Sequence, residues 1–164
     1  MGSKKKSWQE KLMDKKDLPK IVVLDHKLAF KWGFNPGDTM VIPSPLEVDE
    51  IMRKVSKGKL ITINRIREAL ARRHGTVTAC PITTGIFAKI AAWASEERKL
   101  SGADDITPYW RTLKKNGVIN EKFPGGIEKQ RELLEKEGYK VIKKGKNYII
   151  LDYEKFLATL EELI

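Results

Sequence analysis

The most constraining feature of this chain is the way residues 44–100 are punctuated. Ser44-Pro45-Leu46-Glu47 has the form of a capping box: Ser44 is the N-cap, Pro45 takes the first helical position, where its missing N–H costs nothing, and Glu47 stands at N3. Leu46, Ile51, Met52 and Val55 supply the apolar stripe, and Gly58 closes the helix. Thr62 then caps a second helix with Ile63, Ile66 and Leu70 inward, which stops near His74-Gly75. A short connection, TVTAC, leads to Pro81 at a first-turn position. There a third helix begins, on which Ile82, Ile86, Phe87, Ile90, Trp93 and Ala94 recur at helical spacing. Its other face is small and polar. Thr83, Thr84, Ala88 and Ala91 would let it approach a second surface closely, and Arg98 and Lys99 sit at its end.

Beyond these helices, RTLKKNGVIN reads as a hairpin, because Asn116-Gly117 supplies the positive φ that a tight β-turn demands. Two helices joined by a short turn and followed by a hairpin describe a winged helix-turn-helix. Gly125-Gly126 leads into a helix from Ile127, with Leu133 and Leu134 also inward, and Gly138 ends it. The tail adds KVIK, a Lys144-Gly145 turn, NYIIL and a helix capped by Asp152, with Phe156, Leu157, Leu160 and Leu163 apolar; it reads as structural. Upstream lies a basic arm with one short helix, Trp8 to Lys15, ended by Pro19. Strands at Ile21–Leu24 and Thr39–Ile42 follow, separated by a Gly/Asn/Pro-rich connection at Gly33 to Gly37. The expected fold class is α+β: a winged helix-turn-helix domain over 44–142, an arm with short strands over 1–43, and a strand-and-helix extension over 143–164.

With 164 residues, 41% of them hydrophobic, the chain can bury a core without disulfides or metal. Its lone cysteine, Cys80, excludes an intramolecular disulfide framework. His26 and His74 lack partners at metal spacing and read as surface residues, so no metal or cofactor is expected. A reducing cytoplasm and a monomer fit these features best. No apolar run approaches the ~18 residues that span a bilayer, and the Lys4-Lys5-Lys6 start lacks the apolar stretch of a signal peptide. Against 22 Asp+Glu stand 32 Lys+Arg, a net charge of +10, and phosphate backbones reward such an excess by releasing condensed counterions.

Three stretches, GKLITINRIREAL, ITPYWRTLKKNGVINEKFPGG and IEKQRELLEKEGYKV, give residues 44–142 a family likeness. This region resembles the DNA-binding domain of methylated-DNA–protein cysteine methyltransferases and their alkyltransferase-like relatives. The resemblance implies a recognition helix in the minor groove and a pocket, beside a Pro-Cys-His-Arg motif, that accepts a flipped O6-alkylguanine. Here the motif reads Pro108-Tyr109-Trp110-Arg111. Tyr109 stands where the nucleophilic cysteine would be and Trp110 where the histidine would be. Transfer of an alkyl group needs a thiolate, so the resemblance points to the alkyltransferase-like group, which lacks that cysteine, binds the lesion and flags it for repair proteins. Thr84 falls at the place of the family's intercalating arginine, and Ile63 at that of its phosphate-pushing tyrosine.

The candidate site residues follow. Thr83, Thr84, Gly85, Ala88 and Lys89 form a groove-facing strip on the third helix, or alternatively a contact between helices. Arg65, with Arg67, Arg72 and Arg73, adds positive potential, and Lys114, Lys115 and Asn116 at the hairpin tip reach the phosphate backbone or are plain solvated turn residues. Tyr109, Trp110 and Arg111 line a base pocket, unless the rings are core and the arginine pairs with a carboxylate. The expected function is non-catalytic binding of DNA, alkylated or otherwise damaged. The alternatives are a winged-helix transcription or chromatin protein without lesion recognition, and an enzyme using Cys80, whose place before Pro81 at a helix start would favour its thiolate.

Overall fold

The computed structural model describes residues 5–164; the start of the basic arm, through Lys4, lies outside them. The architecture is α+β. Ser7 opens helix α1 (Trp8–Met13) with a full capping box to Glu10. Strand β1 (Lys20–Val23) pairs antiparallel with β2 (Thr39–Ile42), Lys20 opposite Ile42. Between them stands a helix the sequence reading passed over, α2 (His26–Trp32), capped by Asp25 and stopped by Gly33 in the left-handed region. It escaped notice because it spans only two turns and its one fully buried residue, Ala29, leaves no legible periodicity while Phe30 is 89% exposed.

The three punctuated helices form, though the first ends at Arg53, short of Gly58, because Lys54 takes its C-cap. In α3 (Pro45–Arg53) the Ser44 N–H donates to Glu47 Oε2 at 3.0 Å and the Glu47 N–H to Ser44 Oγ at 3.3 Å. A two-residue strand, β3 (Ile61–Thr62), precedes α4 (Ile63–His74), which Thr62 caps and Gly75 ends at φ 67°. TVTAC is more than a connection. It contains β4 (Thr78–Ala79), which lies parallel to β2, so that α3 and α4 form the crossover that parallel pairing needs. The N-terminal strands are thereby joined to the helices beyond residue 43.

Helix α5 (Pro81–Leu100) is the centre of the main core, with α1, α3 and α4 packed on it. Its orientation differs in part from the expectation: Phe87 and Ile90 pack on the core as expected, but Ile82 and Ile86 do not. Thr84, Ala88, Ala91, Ala92, Ala94 and Ser95 are buried, whereas Ile82 is 57% and Ile86 49% exposed. A stripe of small side chains lets three helices approach closely and keep the dispersion contacts that a row of isoleucines would hold apart. Trp93 stays on the surface side, where it stacks on Trp8 with ring centroids 5.6 Å apart; Glu97 accepts the Trp8 and Gln9 N–H groups at 3.0 and 2.9 Å. The arm's helix is thus docked on α5.

The remaining strands build a second, smaller core around Leu60, Leu113, Ile119, Leu134, Tyr139 and Ile150. Strand β5 (Thr112–Leu113) runs parallel to β3. The Asn116-Gly117 turn forms with φ 66° and 76°, closed by an antiparallel bridge between Lys114 and Val118. No longer ladder follows, since Thr112 and Leu113 pair with β3; the other edge of Val118 bridges Ile149 of β7 (Asn147–Ile150), which pairs antiparallel with β6 (Val141–Lys144). The boundary drawn after residue 142 therefore runs through β6. Helix α6 (Gly126–Lys136) lies as expected before Gly138. The C-terminal helix does not start at Asp152. Its place is taken by a 3-10 turn, Tyr153–Phe156, since the backbone that follows pairs with Leu60: the Leu60 N–H donates to Phe156 O and the Ala158 N–H to Leu60 O, both at 2.8 Å. Only then does Thr159 cap the short α7 (Leu160–Leu163). No helix among the described residues is long and apolar enough to cross a membrane.

Candidate nucleic-acid interface

The aromatic motif is interior. Tyr109 is 1% exposed, set edge-on to Phe123 and Trp110 at 5.9 and 5.5 Å between centroids, and its hydroxyl lies 3.3 Å from Glu96 Oε2. Burial, reinforced by the Glu96 charge and hydrogen bond, pushes the phenol well above its ordinary range and keeps it neutral. The ring fills the space that a base pocket beside the motif would need. The base-pocket expectation for Tyr109 is therefore corrected: a ring that dominates a small core gains more from packing than it would at a wet cleft. Trp110 is half-buried against both cores. Arg111 forks onto Glu137 with Nε–Oε1 2.9 Å and Nη2–Oε2 2.6 Å, and its Nη1 donates to Val55 O at 2.8 Å. This bidentate pair holds the motif to α6, so Arg111 is a structural clamp. Burial alone would raise the Glu137 carboxyl, but the hydrogen bonds and charge of Arg111 outweigh it and hold the group below its usual value.

The accessible face lies elsewhere. Ile82, Gly85, Ile86 and Lys89, spaced i, i+3, i+4 and i+7, share one face along the first half of α5, the two isoleucines exposed and Gly85 and Lys89 half-buried. They line an open groove of about 460 Å³ together with Ile63 and, from the turn segment, Lys114, Asn120, Glu121 and Lys122. Trp93 Nε1 donates to Lys122 O at 2.9 Å and fixes the width of the far end. Three lysines face one carboxylate here; Lys114 is paired with Glu121 at 2.8 Å, the Lys89 Nζ lies 5.8 Å from the centre of the Trp8 ring, and Lys122 is exposed without a carboxylate partner among the described residues.

Of the strip expected on α5, Gly85 and Lys89 line this groove, while Thr84 and Ala88 do not. Thr84 is 0% exposed and donates its hydroxyl to Cys80 O at 2.6 Å, and Ala88 is fully buried, so neither can meet a ligand. Both belong to the small stripe that packs the helix inward. Thr83 is half-buried, and its hydroxyl has no hydrogen-bond partner among the described residues. Lys115 and Asn116 are exposed at the turn, next in the chain to Lys114 of the groove lining.

The arginines of α4 are largely committed within the fold. Arg67 donates to Ala79 O and Thr78 Oγ1 at 2.9 and 3.0 Å, Arg73 faces Glu50 and Glu47, Arg72 lies 3.8 Å from Glu161, and Arg65 lies 3.6 Å from Glu68. His74 is not a free surface residue either: its Nε2 pairs with Glu47. Cys80 is buried with Leu24, Ala29 and Met40 and makes no side-chain cap on α5.

Ile82, Ile86, Ile63, Asn120, Glu121 and Lys122 were missed as groove residues. The signal that could have found the isoleucines was the opposite stripe: Thr84, Ala88, Ala91, Ala92 and Ser95 recur just as regularly, and a helix cannot bury both faces beside one core. Among the described residues no group of three or more His, Cys, Asp or Glu side chains is placed to hold a metal.

No protein-family model matches the chain, and no curated protein does. Solved structures do. S. pombe Atl1 in complex with damaged DNA containing O6-carboxymethylguanine shares 18% identity over 70% of this chain and 94% of its own, with a TM-score of 0.48. S. pombe ATL in complex with DNA shares 18% identity over the same fractions, 70% and 94%, with a TM-score of 0.51. At this level the likeness is one of fold, and by the second comparison the fold of this chain is similar to that of the S. pombe alkyltransferase-like protein.

Proposed function

We propose that this protein is a non-catalytic DNA-binding protein of alkyltransferase-like type, which lays this face of α5 against a groove of the duplex and the turn at residues 114–122 against its backbone. The observation that carries this reading is the i, i+3, i+4, i+7 run of Ile82, Gly85, Ile86 and Lys89 lining an open groove together with Lys114 and Lys122, in a chain of net charge +10. Lysines supply the sequence-independent phosphate attraction, and Gly85, whose added Cβ would meet nothing within 4 Å, lets a sugar-phosphate backbone come close to the helix. The similarity of fold to a protein crystallised with DNA supports the same reading. With Tyr109 at the nucleophile position, buried and neutral, the protein holds DNA rather than accepting a group from it.

The finer reading is damaged DNA. Extruding a base costs a few kcal/mol, less when the base is modified, and something must occupy the vacated stack. Ile82 and Ile86 are placed for that task as apolar wedges of the kind that minor-groove proteins insert between base steps. The groove they border, about 460 Å³, lies within the roughly 300–1,000 Å³ of small-ligand sites and receives the extruded base in place of the filled space at Tyr109.

Competition between plain and O6-alkylguanine duplexes at two salt concentrations tests both levels. Binding that falls steeply with salt and favours the alkylated duplex is expected. Equal affinities leave general DNA binding standing and remove the lesion. No binding to either duplex overturns the whole reading.

A further inference from the structure

The C-terminal hairpin, read from the sequence as a structural tail, occupies a telling place. Val118 bridges Lys114 on one side and Ile149 on the other, and the Ile119 N–H donates to Tyr148 O at 2.8 Å. In antiparallel pairing each step forward from Val118 is a step back from Ile149. The pairing ends there: Val118–Ile149 is a single bridge, and beyond Ile119 the Asn120 N–H donates to Gln130 Oε1 at 2.9 Å. The tip of the hairpin lies just past Asn147, where Lys144 pairs with Asn147 and Gly145-Lys146 make the loop. Asn120, Glu121 and Lys122 line the basic groove. The stem of the hairpin is thus tied to the segment that leads into this part of the groove.

The tip is also chemically distinct. Lys143 to Asn147 are five consecutive exposed residues, three of them lysines. The ion pairs of the C-terminal third use Arg111, Lys114, Arg131, Lys136 and Lys155, and among the described residues Lys143, Lys144 and Lys146 have no carboxylate partner. Behind the tip the hairpin is anchored: Ile150 is buried in the second core, with Val141 and Tyr148 packed beside it. A free cationic tip on a fixed stem loses little conformational entropy on binding.

We infer that the β6–β7 hairpin is a second backbone-contacting wing, whose Lys144 and Lys146 neutralise duplex phosphates beyond those reached from the α5 groove. This rests on the DNA-binding reading above and extends its footprint past the segment at residues 114–122.

Duplex binding by the full chain and by the double variant Lys144→Ala/Lys146→Ala, titrated from low to moderate salt, tests it. The variant is expected to bind about tenfold more weakly near 0.1 M salt, and its log affinity to fall with log salt by a slope shallower by about 2, close to one unit per lost phosphate contact. Lys144→Arg/Lys146→Arg should restore both quantities, and circular dichroism should show all three proteins equally folded. Equal affinity and slope in the alanine variant, with the unmodified chain still binding, overturn the hairpin wing alone. Weaker binding at an unchanged slope also overturns it, because lost phosphate contacts must change the slope. If the unmodified chain binds no duplex, both readings fall. Tighter capture by phosphatidylserine vesicles than by duplex, lost in the alanine variant, overturns the wing in favour of a membrane surface.

Discussion

Two stretches of the fold have opposite fates. Pro108–Arg111 carries the most distinctive chemistry in the chain, two aromatics and an arginine, and is consumed by structure: Tyr109 is core and Arg111 is locked onto Glu137. The first half of α5 turns Ile82 and Ile86, which look like core, outward beside lysines, while Ile90 stays packed on the core. Distinctive residues do not mark a site by themselves. Accessibility does, and it depends on which neighbours compete for the interior.

Replacing Tyr109 by Ala breaks this contrast most forcefully. Removing a buried aromatic should cost about 3–5 kcal/mol of stability in urea unfolding, while the protein that remains folded binds duplex as before. A stable Tyr109→Ala protein that has lost discrimination between alkylated and plain duplex would return the site to the motif.

Arg111→Met comes next. It strands a carboxylate whose side chain is only 10% exposed, at a cost of about 3 kcal/mol near pH 7. In the unmodified protein Glu137 is held below its ordinary value of 4.5, so the pair's contribution is present above that pH and fades as pH falls through the lower folded value. Without Arg111 the carboxylate loses the partner that lowers it, while the burial that disfavours its charged form remains. The defect should therefore shrink as pH drops from 7 toward 4, measured as the difference in denaturation midpoint.

The groove side answers in the opposite manner. Lys89→Ala/Lys122→Ala should lower duplex affinity about tenfold near 0.1 M salt and leave stability within about 0.5 kcal/mol. Unchanged binding would place the interface off this groove. Gly85→Ala gives the smallest and sharpest effect. The new Cβ meets nothing within 4 Å, so the helix should gain about 0.5–1 kcal/mol while duplex binding weakens several-fold. Stability and binding that rise together would show that no backbone approaches there.

Much of the helical framework was legible because its signals are local. Ser44, Thr62, Gly75 and Pro81 act within one turn of their own positions, and each behaves in the fold as its type requires. The Asn116-Gly117 turn is of the same kind. The candidate site was legible only in part: Gly85, Lys89 and Lys114 line the groove, whereas Thr84, Ala88 and Tyr109 are buried. β4, two residues long, gains its place only from β2, nearly forty residues upstream, and the extended segment at 156–158 only from Leu60. No local pattern carries pairings of that range.

What the residues alone determined is a set of helices with known starts, a tight turn and a strongly cationic surface, since caps, positive-φ glycines and net charge act without reference to a partner. Tertiary structure decided which face of α5 is hidden. That helix offers a row of large apolar side chains and a row of small ones, and α1, α3 and α4 close in on the small row. The physical reason is distance: tight packing of several helices around one axis yields more contact than burying Ile82 and Ile86, which would hold them apart, and those two are left to face whatever the groove receives.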